Sequence, residues 1–465
     1  MSNLPFFFLL SSTFSLLLSN TAASSSSSSS VGVNYGRVAD NLPSPSQVAQ
    51  FLTSQTTIDK VKIFDCDPQI LQAFSGTGIS LTVTIPNSEI ISLTQLSAAQ
   101  SWVSTNMLPH YPQTTIRYIA VGNEVHYTGD KVLIANLLRA MKSVYQALQL
   151  ANITDIKVTT PHSLGILSLS NPPSSGRFRR GYDRVLFAPL LEFHRQTGSP
   201  FMVNPYPYFG FKPNTLDFAL FKPNDGVLDK GTGLKYFNMF DAMMDAVYSA
   251  MKKLGYEDVE IAVGETGWPS AGDANEPAAN WENAVSYNGN LVKHLNSGQG
   301  TPLMPNRTFE TYIFSLFNED LKPSTSERSY GLFKPDLSAV YDVGVLRSPG
   351  EVEGPTSSGM APSPSDLNQS WCVAKSDASD EALQRNLDYV CSTGIDCKPI
   401  QDGGPCFQPN TVRSHASYAM NSYFQINGRH DFNCYFDGTG QIISSNPSDK
   451  ACEYVAYIEW PEDPS

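Results

Sequence analysis

Eight short β-prone runs punctuate the first three quarters of the chain, and each drives into polar residues at its end. They are VGVNYG (31–36), KVKIFD (60–65), SLTVTIPN (80–87), IRYIAVGNE (116–124), IKVTTPHS (156–163), FMVNPYP (201–207), VEIAVGETGWP (259–269) and TYIFSLFNE (311–319). Between them lie longer segments whose apolar residues recur at three- and four-residue steps, the period of an amphipathic helix. Examples are 131–150, 237–254 and 284–295. The runs are close to continuously apolar, which suits strands covered on both faces, as in a parallel sheet. Eight strand–helix units over residues 31–346 predict an α/β fold, a (β/α)8 TIM barrel in preference to an open doubly wound sheet. An open sheet would announce a nucleotide site with G-x-G-x-x-G. Gly-Thr-Gly at Gly76, Gly231 and Gly438 lacks the third glycine and reads as turns.

The pattern stops at RSPGEVEGPTSSGMAPSPSDLN, residues 347–368, which is rich in Pro, Ser and Gly and has the composition of a linker. Beyond it, residues 369–465 hold Cys372, Cys391, Cys397, Cys406, Cys434 and Cys452. Six cysteines in so small a segment predict a disulfide-rich domain, because such a module cannot bury enough core alone. Zinc is the rival, but no C-x-x-C or paired Cys/His spacing occurs. Cys66, in KIFDCD, reads as a buried thiol rather than a nucleophile. At the other end, residues 1–30 join an apolar stretch to small residues and a Ser-rich segment, a secretory signal pattern without its positive n-region. A membrane anchor is the alternative, but Ser and Thr interrupt the short apolar run. Sequons at Asn152, Asn306 and Asn368 suit a secreted glycoprotein.

Composition sharpens this picture in one respect. The formal net charge of −13 speaks against nucleic acid or an anionic membrane as partner. The densest basic group is Arg177, Arg179 and Arg180, in a stretch that reads as loop. No lipid-anchor tail is expected, and a monomer is.

In a (β/α)8 barrel, active sites lie at the C-terminal ends of the strands. The polar strand-end residues are Asn34, Tyr35, Asp65, Asn87, Asn123, Glu124, His162, Asn204, Tyr206, Glu265, Asn318 and Glu319. The tetrapeptide IAVG occurs twice, at 119–122 and 261–264, and both copies lead into a glutamate, Glu124 or Glu265. Two carboxylates facing one pocket suit glycoside hydrolysis, one as acid and the other as nucleophile or base. A strand-end glutamate can equally cap a helix or pair with Arg or Lys. Two at matching strand ends, amid Asn, Tyr and Trp, favour function. Asn123 is placed to bond a sugar 2-hydroxyl, and Tyr206 and Trp268 to stack on pyranose rings. No H-E-x-x-H and no G-x-S-x-G occurs, so neither zinc nor a serine triad fits, and no metal or cofactor is expected.

VGVNYGRVADNLPSP, AVGNE, NPYPYF, GETGWPS and FNEDLKPSTSERSYGLFKPD together resemble the plant endo-1,3-β-glucanases of glycoside hydrolase family 17. The resemblance covers the large domain and implies a retaining enzyme on 1,3-β-glucan, with Glu124 as acid/base and Glu265 as nucleophile. It also implies sugar contacts at Tyr35, Asn123, Tyr206 and Trp268, and a charged group lining the cleft at Glu319, Lys322 and Glu327; Asn204, at the end of its strand, is a further substrate-binding candidate. WCVAK, GGPCFQPN and FNCYFDGTG resemble the X8 module, also called carbohydrate-binding module family 43. That resemblance implies the pairs Cys372–Cys434, Cys391–Cys397 and Cys406–Cys452, which sequence alone leaves open. Tyr423 and Phe424 are candidates for stacking on glucan or for core. A mixed-linkage glucanase or transglycosylase, and an inert wall-binding barrel, remain alternative readings.

Overall fold

A computed structural model describes residues 31–347, 370–392, 395–426, 434, 436, 439–448 and 451–455. The expected signal segment, nearly all of the expected linker, and Asn368 lie outside the described residues.

All eight expected strands form. They are β1 (Val31–Tyr35), β2 (Lys60–Ile63), β3 (Ser80–Ile85), β4 (Ile116–Val121), β5 (Lys157–Thr159, resuming as Pro161–Ser163), β6 (Phe201–Asn204), β7 (Ile261–Thr266) and β8 (Thr311–Ile313). Every pairing between them is parallel. The break in β5 closes the circuit. Its first half pairs with β4 and its second with β6, so the sheet runs β5-β4-β3-β2-β1-β8-β7-β6 and back to β5. Pro161 has no N–H to give, and its carbonyl accepts the backbone N–H of Glu124 at 3.0 Å.

Among the described residues, seven helices of six residues or more wrap the barrel: α1 (Pro45–Gln55), α2 (Pro68–Ala73), α3 (Leu96–Asn106), α4 (Lys131–Leu150), α5 (Ala188–Thr197), α6 (Met239–Leu254) and α7 (Trp281–Asn296). Their ends follow from local chemistry. Ser44 and Gln47 form a reciprocal capping box ahead of Pro45, and Asp130 accepts the N–H groups of Val132 and Leu133. Asn238 and Asn280 cap α6 and α7. On α4 the buried side chains are Ile134, Leu137, Ala140, Met141, Val144, Ala147 and Leu148, the stripe that its sequence period predicts. The eighth strand–helix unit departs from expectation. Among the described residues, no long helix follows β8; residues 314–346 return as irregular chain, bridged at Phe317–Phe333 and Thr56–Leu346. Its apolar residues Leu316, Phe317, Leu332 and Phe333 still join the core, so loop packing does the covering there.

The strands' outward residues, such as Val33, Val61, Val83, Ile119, Val203 and Val263, pack under the helices. The interior is more polar than the runs suggested. Thr82 on β3 meets the Tyr312 hydroxyl on β8 at 2.9 Å, and Asn34 on β1 donates to the Gly264 carbonyl on β7 at 3.0 Å. Neither pair of strands is adjacent, so both bonds cross the barrel.

The described residues between 370 and 455 build hydrophobic clusters of their own. Strands β9 (Trp371–Ala374) and β10 (Gly440–Ile443) pair antiparallel, with α8 (Asp380–Ser392) and α9 (Val412–Ile426) beside them. Disulfides join Cys372 to Cys434, Cys391 to Cys397 and Cys406 to Cys452, the pairing implied by the X8 resemblance. Phe424 is fully buried against Cys372, Leu383 and Met420, which excludes it as a stacking surface. Tyr423 is half-buried, between Tyr389 and Phe436.

Candidate active site

Glu124 lies three residues beyond β4, on a turn whose backbone is held from two sides. Gly122 takes φ 72° and Glu124 itself φ 48°, a left-handed conformation that costs a non-glycine residue about 1–2 kcal/mol. The turn is fixed by bonds from Glu124 N–H to Pro161 and from Tyr127 N–H to Glu124. Asn87, at the end of β3, grips the neighbouring peptide: its Oδ1 accepts from Asn123 N–H at 2.7 Å and its Nδ2 donates to Asn123 O at 3.0 Å. The Asn123 side-chain oxygen is buried and has no hydrogen-bond partner among the described residues.

Glu265 reaches the interior by a different device. On β7, Ile261 and Val263 face the helices while Gly264 lies against Asn204 and Met202 inside the barrel. Strict alternation would send Glu265 outward. Between Val263 and Thr266, however, β7 spans three residues against two on β8, from Thr311 to Ile313. That one-residue bulge reverses the phase, so Thr266 meets Tyr287 of α7 outside and Glu265 turns in.

The two carboxylates have unlike surroundings. Glu265 is 7% exposed and takes the ammonium of fully buried Lys62 at 3.0 Å and the Tyr206 hydroxyl at 3.1 Å. Lys62 also lies 3.9 Å from the centre of the Phe64 ring. Burial, then the Glu265 charge, pushes the Tyr206 hydroxyl well above the ordinary phenol range, so it remains a donor. Glu124 receives one side-chain bond, from Asn204 Nδ2 at 2.8 Å. Burial, and next the Glu265 carboxylate, raise the Glu124 carboxyl above its usual value, against smaller opposing effects from Asn204 and Lys62. A proton is therefore held more readily on Glu124 than on a free glutamate, while Glu265 faces a fixed cation.

Of the other expected site residues, Asn204 and Tyr206 join this constellation directly. Glu319 is buried and accepts the Val38 N–H at 2.7 Å, tying the β8 loop to the β1 loop. Lys322 lies over Phe314, 5.7 Å from its centre, and Glu327 is exposed. Tyr35 is buried against the edge of Phe317. Trp268 is a correction. It is 0% exposed, donates to Ala278 O at 2.8 Å and packs among Tyr208, Phe211 and Tyr287, so it belongs to the core and offers no stacking face. Lys62 was missed, although KVKI carried its signal: lysines at alternate positions of a strand share one face, here the interior.

Cys66 is partly buried, and burial with nearby Asp65, Glu89 and Asp67 pushes its thiol up to about 12, away from nucleophilic use. Asn152 and Asn306 stand on exposed turns at φ 57° and 61°. Among the described residues, no helix is long and apolar enough to cross a membrane.

The family model for glycosyl hydrolases family 17 matches residues 31–345. The chain belongs to that family. The X8 domain model matches residues 370–441. A wheat (Triticum aestivum) protein named glucan endo-1,3-beta-glucosidase is 50% identical, over 92% of this chain and 95% of its own length. An olive (Olea europaea) glucan endo-1,3-beta-D-glucosidase is 46% identical, over 91% and 93%. Among solved structures, CJP38, a beta-1,3-glucanase and allergen of Cryptomeria japonica pollen, is 42% identical with a TM-score of 0.64. It covers 68% of this chain and 98% of its own.

Proposed function

We propose that this family 17 hydrolase is a secreted endo-1,3-β-glucanase that cleaves (1→3)-β-D-glucosidic linkages with retention, using Glu124 as acid/base and Glu265 as nucleophile. The observation that carries the assignment of roles is the asymmetry between the two carboxylates. An acid must hold a proton at working pH, and burial beside another carboxylate favours that at Glu124. A nucleophile attacks as the anion, and Glu265 takes the Lys62 ammonium at 3.0 Å and the Tyr206 hydroxyl at 3.1 Å. In the first step Glu265 attacks the anomeric carbon while Glu124 protonates the departing oxygen. In the second, Glu124 takes a proton from water as it displaces Glu265. Tyr206, Asn204, Asn123, Tyr35 and the Glu319–Lys322–Glu327 group line or support the cleft. The X8 unit adds affinity for insoluble glucan by raising local concentration. Its three disulfides suit an oxidising compartment.

Glu265→Gln retains laminarin binding and loses turnover, and azide does not restore it. Glu124→Gln still reacts with substrates that carry good leaving groups, and azide then yields a β-glycosyl azide. A β-glycosyl azide from the Glu265 variant instead reverses the roles. Turnover of barley-type mixed-linkage glucan in preference to laminarin moves the substrate assignment.

A further inference from the structure

The loop after β5 carries a concentration of positive charge that the hydrolytic site does not use. Residues 177–184 read RFRRGYDR: four arginines and one aspartate, on a chain with a net charge of −13. The loop is a built platform. Phe178, Leu186 and Phe187 point into the core, with Phe178 stacked on Phe187 at 4.4 Å, while Arg177, Arg179, Arg180 and Arg184 are exposed. A two-stranded ribbon pairs Leu167 with Phe178 and Leu169 with Arg177. Lys253 of α6 pins its base by donating to Ser174 O and Gly176 O, each at 2.8 Å.

Among the described residues, none of these four arginines has a carboxylate partner, whereas Arg37, Arg117, Arg195 and Arg307 all do. Arg179 bonds the Gly165 carbonyl. Asp183 spends one oxygen on the Arg184 backbone N–H at 2.9 Å. The charge is felt by its surroundings: burial, then Arg177, holds the Lys253 ammonium below its ordinary value.

The loop also borders the cleft. The Tyr182 ring stands edge-on to His126 at 6.3 Å, and His126 belongs to the turn that begins at Glu124. Tyr127, the last residue of that turn, is 80% exposed, and Tyr182 is 38% exposed. Planar guanidinium groups match carboxylates two bonds at a time, and exposed tyrosines offer faces to sugar rings.

We propose that Arg177, Arg180 and Arg184, flanked by Tyr127 and Tyr182, form a binding site for a carboxylate-bearing polysaccharide, a polyuronate. The site holds the barrel on an acidic matrix beside its neutral substrate. It is separate from the hydrolytic assignment, since a barrel inactive on glucan would still carry it.

The test is retention of the full chain on immobilised polygalacturonate, with the fully methyl-esterified polymer as the uncharged control. The wild type is retained at low ionic strength and released at about 0.5 M salt, where screening acts within a few ångströms. The variant R177Q/R180Q/R184Q loses at least tenfold in affinity while its laminarin turnover and Tm stay as in the wild type. None of these three side chains makes a hydrogen bond among the described residues, and R184Q alone, with a smaller loss, serves if the triple variant folds poorly. Failure of the wild type to bind, equal retention of the variants, equal binding to the esterified polymer, or a preference for phosphatidylserine vesicles over polygalacturonate each overturns the proposal.

Discussion

Replacing Lys62 with methionine removes a charge that has no route to water. The Lys62 side chain is 0% exposed, its Nζ lies 3.0 Å from Glu265 Oε1, and the Glu265 side chain is 9% exposed. Methionine nearly conserves the volume, so the packing loss is small. Taking away one member of a buried ion pair costs about 3–5 kcal/mol, because the other is left charged without compensation or must bind a proton. The Tyr206 hydroxyl remains on Oε2 at 3.1 Å. A hydrogen bond to a charged group contributes only about 1.5–3 kcal/mol, and this one is present already, so it does not replace the cation. If Glu265 is the nucleophile as proposed and the whole cost falls on its reacting form, kcat/KM for laminarin drops by roughly two to four powers of ten, at tenfold per 1.36 kcal/mol. The assay pairs laminarin kinetics with thermal unfolding of Lys62→Met, Glu265→Gln and the double variant. The double variant restores most of the stability lost in Lys62→Met, since a neutral pair needs no counter-charge. Wild-type kinetics in Lys62→Met, or a double variant no more stable than it, refutes the electrostatic role of the lysine.

Burial pushes the imidazoles of His126 down to about 4 and His194 down to about 3, with His162 held well below its ordinary value. The unfolded chain binds those protons near pH 6.5, so their stabilising effect is full above that pH and is lost as pH falls through the folded values. Thermal scans from pH 7 to pH 3 show a decline that His162→Phe makes shallower; an unchanged slope refutes the assignment. Trp268→Phe lowers Tm and leaves KM for laminarin unchanged, whereas Trp268→Ala costs about 3–5 kcal/mol of stability; a KM effect in the phenylalanine variant would return the indole to the binding surface. Gly264→Ala puts a Cβ 2.8 Å from Asn204 Oδ1 and 2.9 Å from Met202. Displacing Asn204 weakens its bond to Glu124, so the Glu124 carboxyl rises further and the alkaline limb of the pH–activity profile moves up; an unmoved limb counts against that bond.

The strand count and the placement of both glutamates on one rim were legible because apolar runs that end abruptly in polar residues are a local signal. Helix boundaries were nearly as clear at α4 and α6, where Asp130 and Asn238 supply caps. What escaped depended on partners far away in sequence. Trp268 and Tyr206 both follow strand ends and both look like sugar platforms, yet one is sealed by Phe211 and Tyr287 and the other is left half-open beside Glu265. The alternation in KVKI puts Lys60 and Lys62 on one face, but only closure of the barrel gives Lys62 its partner, a residue 203 positions later. The missing eighth helix left no trace either, because the apolar residues of 314–346 serve a packed loop as well as a helix.

The repeated IAVG shows most plainly where sequence reading stops. The same four residues deliver a glutamate to the same pocket by two geometries. After the first copy, the chain turns left-handed at Gly122 and Glu124, and Glu124 arrives on a turn pinned by Asn87 and Pro161. After the second, it remains a strand, and a bulge against β8 rotates Glu265 inward. A turn leaves its carboxylate at the edge of solvent, within reach of a proton donor and acceptor such as water. A strand carries its carboxylate down among fixed groups, here Lys62 and Tyr206. The unlike surroundings of the two carboxylates are therefore set by the backbone that follows each tetrapeptide, and under the proposed mechanism two identical stretches of sequence acquire opposite chemical tasks.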